Sequence, residues 1–161
     1  MKPIQCGMSL MAILALVSCG STSVNRSHPL VARPDDPESG RVYFLRPDEG
    51  FSGVRMNAAA VKVGGEELLT LRPGEYCLVH LKPYDGEVFV TSWGVVGGAM
   101  TRQTEGGILE VVAGGVHHVY LYPIPTGYVP AQVTESEARE ASAHLKAIGA
   151  AAIEPIGFVD P

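Results

Sequence analysis

The chain changes its hydrophobic rhythm three times. Behind Lys2, residues Met8 to Val17 form an almost unbroken apolar run. It is about half of the ~20 residues needed to cross a hydrocarbon core, so residues 1–18 read as an export signal peptide. From Cys19 to residue 39 Ser, Thr, Asn, Pro and Asp dominate, too polar to repay the entropy of ordering. This stretch reads as a flexible tether, kept extended by Pro29, Pro34 and Pro37. From Gly40 onward short apolar segments alternate with turn residues, which is the period of half-buried strands.

The strand segments are Arg41–Arg46, Val54–Val63, Glu66–Leu71, Tyr76–Leu81, Glu87–Trp93, Ile108–Val112 and Val116–Tyr122. Gly64-Gly65, Arg72-Pro73-Gly74-Glu75 and Gly114-Gly115 separate them as turns, the last joining a final hairpin. In Tyr76–Leu81 the alternation assigns Cys77, Val79 and Leu81 to the core. Gly94 to Gly107 is so rich in glycine that it predicts a long connection between sheets, without regular structure. The period then becomes helical. Thr134-Glu135-Ser136-Glu137 is a capping box, Ala138, Ala141, Leu145 and Ile148 follow at helical spacing, and Gly149 is the stop. The resulting expectation is a mainly-β chain: an antiparallel β-sandwich of about seven strands over residues 40–149. It carries one C-terminal amphipathic helix, 135–148, and a frayed tail, 150–161.

Length and charge narrow the classes. The 161 residues suit one domain with a real core. Twelve Lys and Arg against 17 Asp and Glu give a net charge of −5, the wrong sign for a nucleic-acid surface. Of three cysteines, Cys6 lies in the signal and Cys19 at its end, leaving Cys77 with no internal disulfide partner.

Leu16-Val17-Ser18-Cys19 resembles a bacterial lipobox. The resemblance implies cleavage between Ser18 and Cys19, and lipidation of Cys19. A single acyl chain anchors only marginally, and the two or more fatty acyl chains of a lipoprotein hold stably. The resemblance also implies, by the lipoprotein sorting rule in which Asp after the cysteine retains the protein in the inner membrane, that Gly20 directs it to the periplasmic face of the outer membrane of a diderm bacterium. The plainer alternative is an ordinary signal peptide cut near Ser18 or Ser23.

Further along, Gly40-Arg41-Val42-Tyr43-Phe44-Leu45-Arg46-Pro47, Val61-Lys62-Val63-Gly64-Gly65, Leu71-Arg72-Pro73-Gly74-Glu75-Tyr76 and Val112-Ala113-Gly114-Gly115-Val116 occur in that order. Together they resemble the small bacterial lipoproteins grouped as domain of unknown function 2846, over roughly Gly40 to Leu145. The resemblance implies a sandwich similar to transthyretin-like and PEGA-like folds, and implies no catalytic residues. The chain departs from the family pattern at Gly64, where Asp is usual, and at Pro83-Tyr84-Asp85-Gly86, which replaces a tighter Pro-Gly turn.

Candidate chemistry is sparse. His117 and His118 are adjacent on a strand and point to opposite faces, so they do not share a metal, although His80 could approach one of them across strands. Cys77 alternates with core residues as a small hydrophobe would. Gly97-Gly98 and Gly106-Gly107 match no phosphate-cradling pattern, no serine sits in a Gly-x-Ser-x-Gly elbow, and Asp35-Asp36 falls in the tether. The residues therefore predict no catalytic constellation, no metal and no cofactor. Two readings follow. One is a non-enzymatic envelope module, anchored in the bilayer through Cys19, whose strand edge meets a protein partner. The other is a module that binds (or acts on) glycans or small ligands through Tyr43, Tyr76, Tyr84, Trp93, Tyr120, Tyr122, Tyr128 and the Gly94–Gly107 loop.

Overall fold

The computed structural model describes residues 22–48 and 58–157. The expected signal peptide, Cys19 and the first residues of the Val54–Val63 segment lie outside the described residues. In chain order the strands are β1 (Ser23–Val24), β2 (Gly40–Arg46), β3 (Ala59–Val63), β4 (Glu66–Leu71) and β5 (Glu75–Leu81). There follow β6 (Tyr84–Val96), β7 (Ala99–Val111), β8 (Val116–Ile124) and β9 (Gly127–Val133). Helix α1 (Glu135–Ser142), β10 (Lys146–Ile148) and a 3₁₀ turn at Gly149–Ala152 complete the described elements.

The strands form two five-stranded sheets, β1-β4-β3-β6-β7 (sheet I) and β10-β5-β2-β8-β9 (sheet II). Their facing sides supply one core, from Val61, Leu69, Leu71, Val88 and Leu109 on sheet I to Phe44, Val79, Leu81, Val119 and Leu121 on sheet II. The fold is thus the mainly-β sandwich with one helix that the alternation predicts. It is not wholly antiparallel: β2 pairs β8 in parallel, and β10 pairs β5 in parallel. The expected final hairpin is also absent. Ile108–Val112 ends in sheet I and Val116–Tyr122 starts in sheet II, so the Gly114-Gly115 turn carries the chain across the core. A turn sequence specifies a reversal, and whether the next strand pairs or crosses is decided by which sheet has an open edge.

Cys77, Val79 and Leu81 do enter the core. The opposite face of β5 is buried too, because sheet II has a second cover. Tyr43, Leu45, Tyr76 and Leu78 pack with Ala138 of α1 and Ala151 of the 3₁₀ turn in a separate apolar cluster. This third layer corrects two expectations. The helix stops at Ser142 instead of 148, and Lys146–Ile148 adds to the edge of β5, where the Lys146 N–H donates to the Gly74 carbonyl (2.8 Å). Pairing an open sheet edge satisfies more backbone than one further helical turn. The tail is ordered through Gly157 rather than frayed, and the Tyr43 hydroxyl donates to the Glu154 carbonyl (2.9 Å). The capping box forms as expected, with Thr134 Oγ1 accepting from the Glu137 N–H and the Glu137 carboxylate accepting from the Thr134 N–H.

Residues 22–39 are a further correction, because the expected tether lies along the sandwich. Ser23 and Val24 pair with Thr70 and Leu69, and Val31 forms a bridge with Leu81. His28 is buried, its Nε2 donating to the Val63 carbonyl (3.0 Å) and its Nδ1 accepting from the Leu30 N–H (3.2 Å). Val24, Leu30 and Val31 pack on the core between the polar residues. Three apolar side chains and two strand contacts suffice to tie down a segment whose mean composition is that of a linker.

The Gly94–Gly107 connection is likewise regular structure. β6 and β7 form a hairpin in register from Tyr84↔Val111 to Val96↔Ala99. Gly97 and Gly98 make its turn, with φ of 60° and 83°. This is the positive-φ pair that a two-residue hairpin requires.

Candidate functional site

A groove of about 670 Å³ opens where the N-terminal segment, β5 and the start of the 3₁₀ turn meet. Val31, Leu78, Val79, Ile148 and Ala150 give it apolar walls, and Arg26, Arg33 and His80 add polar ones. The sequence directs the chain here because β5 is covered on this side in two separate places. β10 pairs with Glu75–Cys77, and residues 30–32 meet His80–Lys82 through Ala32 N–H to the His80 carbonyl (2.8 Å) and Lys82 N–H to the Leu30 carbonyl (2.9 Å). Among the described residues no strand pairs with Leu78 or Val79 on that side. The groove is a gap in the cover of a sheet edge, of the size of a small-ligand site.

His80 is the polar residue of greatest interest. It is buried, and its Nε2 finds no hydrogen-bond partner among the described residues. An unsatisfied buried nitrogen costs free energy unless something occupies it. Burial pushes the His80 pKa down, Glu154 opposes this, and Arg41 reinforces it. Arg41 lies beside His80 in the β2–β5 register and sits 3.7 Å from the Glu154 carboxylate.

His118 is on the same outer face of sheet II but does not join His80. Strand β2 separates their strands, and His118 instead stacks on Tyr43, with ring centroids 5.4 Å apart. Burial lowers its pKa, opposed by Glu135 and reinforced by His117. His117 turns the other way, its Nε2 accepting from the Val112 N–H (3.1 Å). No three His, Cys, Asp or Glu side chains among the described residues gather as a metal would need. The Cys77 thiol is buried and its pKa is pushed up to about 12, chiefly by desolvation, so it stays protonated at neutral pH.

The two depressed histidines make a pH prediction. Their folded-state pKa values lie below the ordinary 6.5, so the unfolded chain binds protons that the folded chain refuses. Stability is fully present above about pH 6.5 and is expected to fall on acidification from there, levelling once the folded values are passed. The check is Tm between about pH 7 and pH 5; a flatter profile is expected for His118→Phe, and a flat wild-type profile would contradict it.

The aromatic set does not assemble into one surface. Tyr43 and Tyr76 lie under the third layer, Tyr128 is in the core, and Tyr84 accepts from the Gly64 N–H (3.3 Å). Tyr120 and Tyr122 meet edge to face at 4.7 Å, and Trp93 stands apart on the β6–β7 hairpin. Asp35 pairs with Arg33 at 2.8 Å on the surface. Sequence reasoning missed Arg46, which is fully buried with its Nη1 donating to the Leu71 carbonyl (2.6 Å). Nothing in a strand-ending Arg-Pro pair signals this. The groove was missed as well, since it needs the N-terminal segment folded back on β5. Among the described residues no helix is long and apolar enough to cross a membrane.

Compared with known proteins, the chain matches no family model, no curated protein and no solved structure.

Proposed function

We propose that this chain is a non-enzymatic envelope lipoprotein, anchored by acylated Cys19 on the periplasmic face of the outer membrane, that holds a partner in the groove beside β5. The observation that carries the binding part is the gap at Leu78–Val79, next to a buried His80 Nε2 that has no partner among the described residues. An extended peptide is the occupant this geometry suits. Its backbone can continue the β10 pairing, an apolar side chain can rest on Val31 and Ile148, and one polar group can meet His80. The protonated Cys77 thiol and the separation of His80 from His118 support binding over bond chemistry. The lipobox resemblance at Leu16–Cys19 supports the anchored location.

Two measurements test the two halves. Mass spectrometry of the native protein is expected to show a chain beginning at Cys19 with added acyl mass, and Cys19→Ala should accumulate as an unprocessed precursor. Normal maturation of that variant would remove the anchor. For the groove, a photo-crosslinking residue at position 33 is expected to capture an envelope polypeptide. Ala150→Trp, which fills the groove, should abolish the adduct. An adduct undiminished by the filling residue would place the partner elsewhere.

A further inference from the structure

Strand directions place the expected anchor and the β6–β7 hairpin at one end of the molecule. β4 runs toward its Leu71 end, and β1 pairs with it antiparallel, so the chain upstream of Ser23 leaves past Leu71. β3 starts at that same end, and β6, antiparallel to β3, runs toward it and finishes in the Gly97-Gly98 turn. One register line crosses sheet I through Ser23, Thr70, Ala60, Thr91 and Thr104. From Ser23 back to Cys19 is four residues, a reach of at most about 14 Å. From Thr91 to Gly97 is six residues of hairpin, roughly 20 Å at ~3.3 Å each. The hairpin tip therefore extends at least as far as the chain carrying Cys19 can reach. The lateral distance is three strand spacings, about 14 Å.

The composition of the tip suits what it would meet there. Trp93, Val96 and Met100 are 45%, 45% and 49% exposed, and Ala99 is exposed between them. Trp93 and Met100 share one face of the hairpin, and Val96 and Ala99 the other, so both faces are apolar at the end. The β8–β9 turn, whose Thr126 carbonyl lies against Gly94, covers the hairpin only up to that level. Exposed Arg102 sits opposite Trp93, placed to hold a lipid phosphate while the ring lies among the headgroups.

We infer that the β6–β7 hairpin tip is a second membrane contact, inserting Trp93, Val96 and Met100 into the headgroup–acyl boundary of the bilayer that holds Cys19. The inference rests on the lipid-anchored reading and deepens it. With β1 joined to sheet I four residues after Cys19, the sandwich is not spaced from the membrane by a long tether. It is held against the surface at two points, the acyl chains and the hairpin, and two points fix its orientation where one leaves it free to swing. Cooperation between an acyl group and buried apolar area is the usual way such contacts gain strength.

Trp93 is the single tryptophan of the chain, so its fluorescence reports the tip alone. The experiment uses the purified mature protein, its acyl mass checked by mass spectrometry, in vesicles of phosphatidylethanolamine and phosphatidylglycerol. The expected result is a blue-shifted emission, a severalfold loss of iodide quenching relative to a chain expressed from Gly20 onward, without signal or acyl group, in buffer, and quenching by lipids brominated on their acyl chains. Val96→Asp with Met100→Asp should restore iodide access while leaving the thermal melt unchanged, and Ile153→Ser, at an exposed position in the tail, should change neither. Acylated protein whose Trp93 stays open to iodide and blind to brominated lipid overturns the hairpin contact and leaves the anchor standing. Protein without acyl mass overturns both. Protection that follows protein concentration in the absence of vesicles assigns the tip to a second copy and overturns the membrane contact.

Discussion

Gly107→Val is expected to destabilise the sandwich by more than about 3 kcal/mol, lowering Tm on the order of 10 °C. A Cβ at Gly107 would stand 2.1 Å from the Pro130 carbonyl oxygen, where β9 of sheet II comes down on β7 of sheet I. The obstacle is backbone, with no rotamer to turn aside. Relief requires β9 to move away from β7, and β9 is paired with β8 along its length, from His118↔Val133 to Ile124↔Gly127. Gly94 meets the Thr126 carbonyl in the same manner (2.2 Å), so the sheets close together at two glycine positions along this side. Ile108→Val, one residue away and pointing to solvent, is expected to change little. Urea melts followed by circular dichroism decide the matter; equal midpoints for Gly107→Val and wild type would mean that β7 and β9 do not touch.

Tyr128→Ala carries the other large expected effect, about 3–5 kcal/mol. The Tyr128 ring is fully buried, and the Arg46 guanidinium carbon lies 4.7 Å from its centroid, with Nη2 donating to the hydroxyl (3.4 Å). Burial pulls the Arg46 pKa below its ordinary value, while the charge interactions and hydrogen bond with Tyr128, and then Asp48 and Glu75, act the other way. Removing the ring both opens a cavity and strips a buried cation of its aromatic face. Tyr128→Phe keeps the face and loses only the hydroxyl contact, for about 1 kcal/mol. In the double variant with Arg46→Leu the losses should fall short of their sum, since the cation that needed the ring has gone. A Tyr128→Ala protein within about 1 kcal/mol of wild type would show that the guanidinium does not depend on it.

Both predictions concern places where single-sequence reasoning gives no purchase. Gly94 and Gly107 raised the glycine content of a stretch and so suggested a loop. In the fold they are strand residues, kept bare so that a neighbouring backbone can approach. Arg46 follows four apolar residues, Val42–Leu45, and precedes a proline, a pattern equally suited to a surface charge. β9 has no counterpart among the expected strands; it contains Pro130, and it is an edge strand, where the missing N–H need not interrupt a ladder. The N-terminal segment was misjudged because burial of His28, Leu30 and Val31 needs a surface that only the finished sandwich offers. The groove shares that origin, being bounded by segments far apart in the chain.

The sequence by itself determined the strands with clean alternation, the side of β5 that enters the main core, the capped start of α1 and the places where the chain reverses. Of the reversals this covers Gly64-Gly65 and Pro73-Gly74, and not Gly97-Gly98 or the β8–β9 turn; period, propensity and turn chemistry act over a few residues. Only the tertiary structure decided which strands share a sheet, that β2 and β8 run parallel, and that the polar N-terminal stretch and the C-terminal tail close over the sheets. It also decided that a glycine-rich run is a projecting hairpin. Each of those depends on pairing and packing between distant segments, where the free energy lies in contacts that no local pattern encodes.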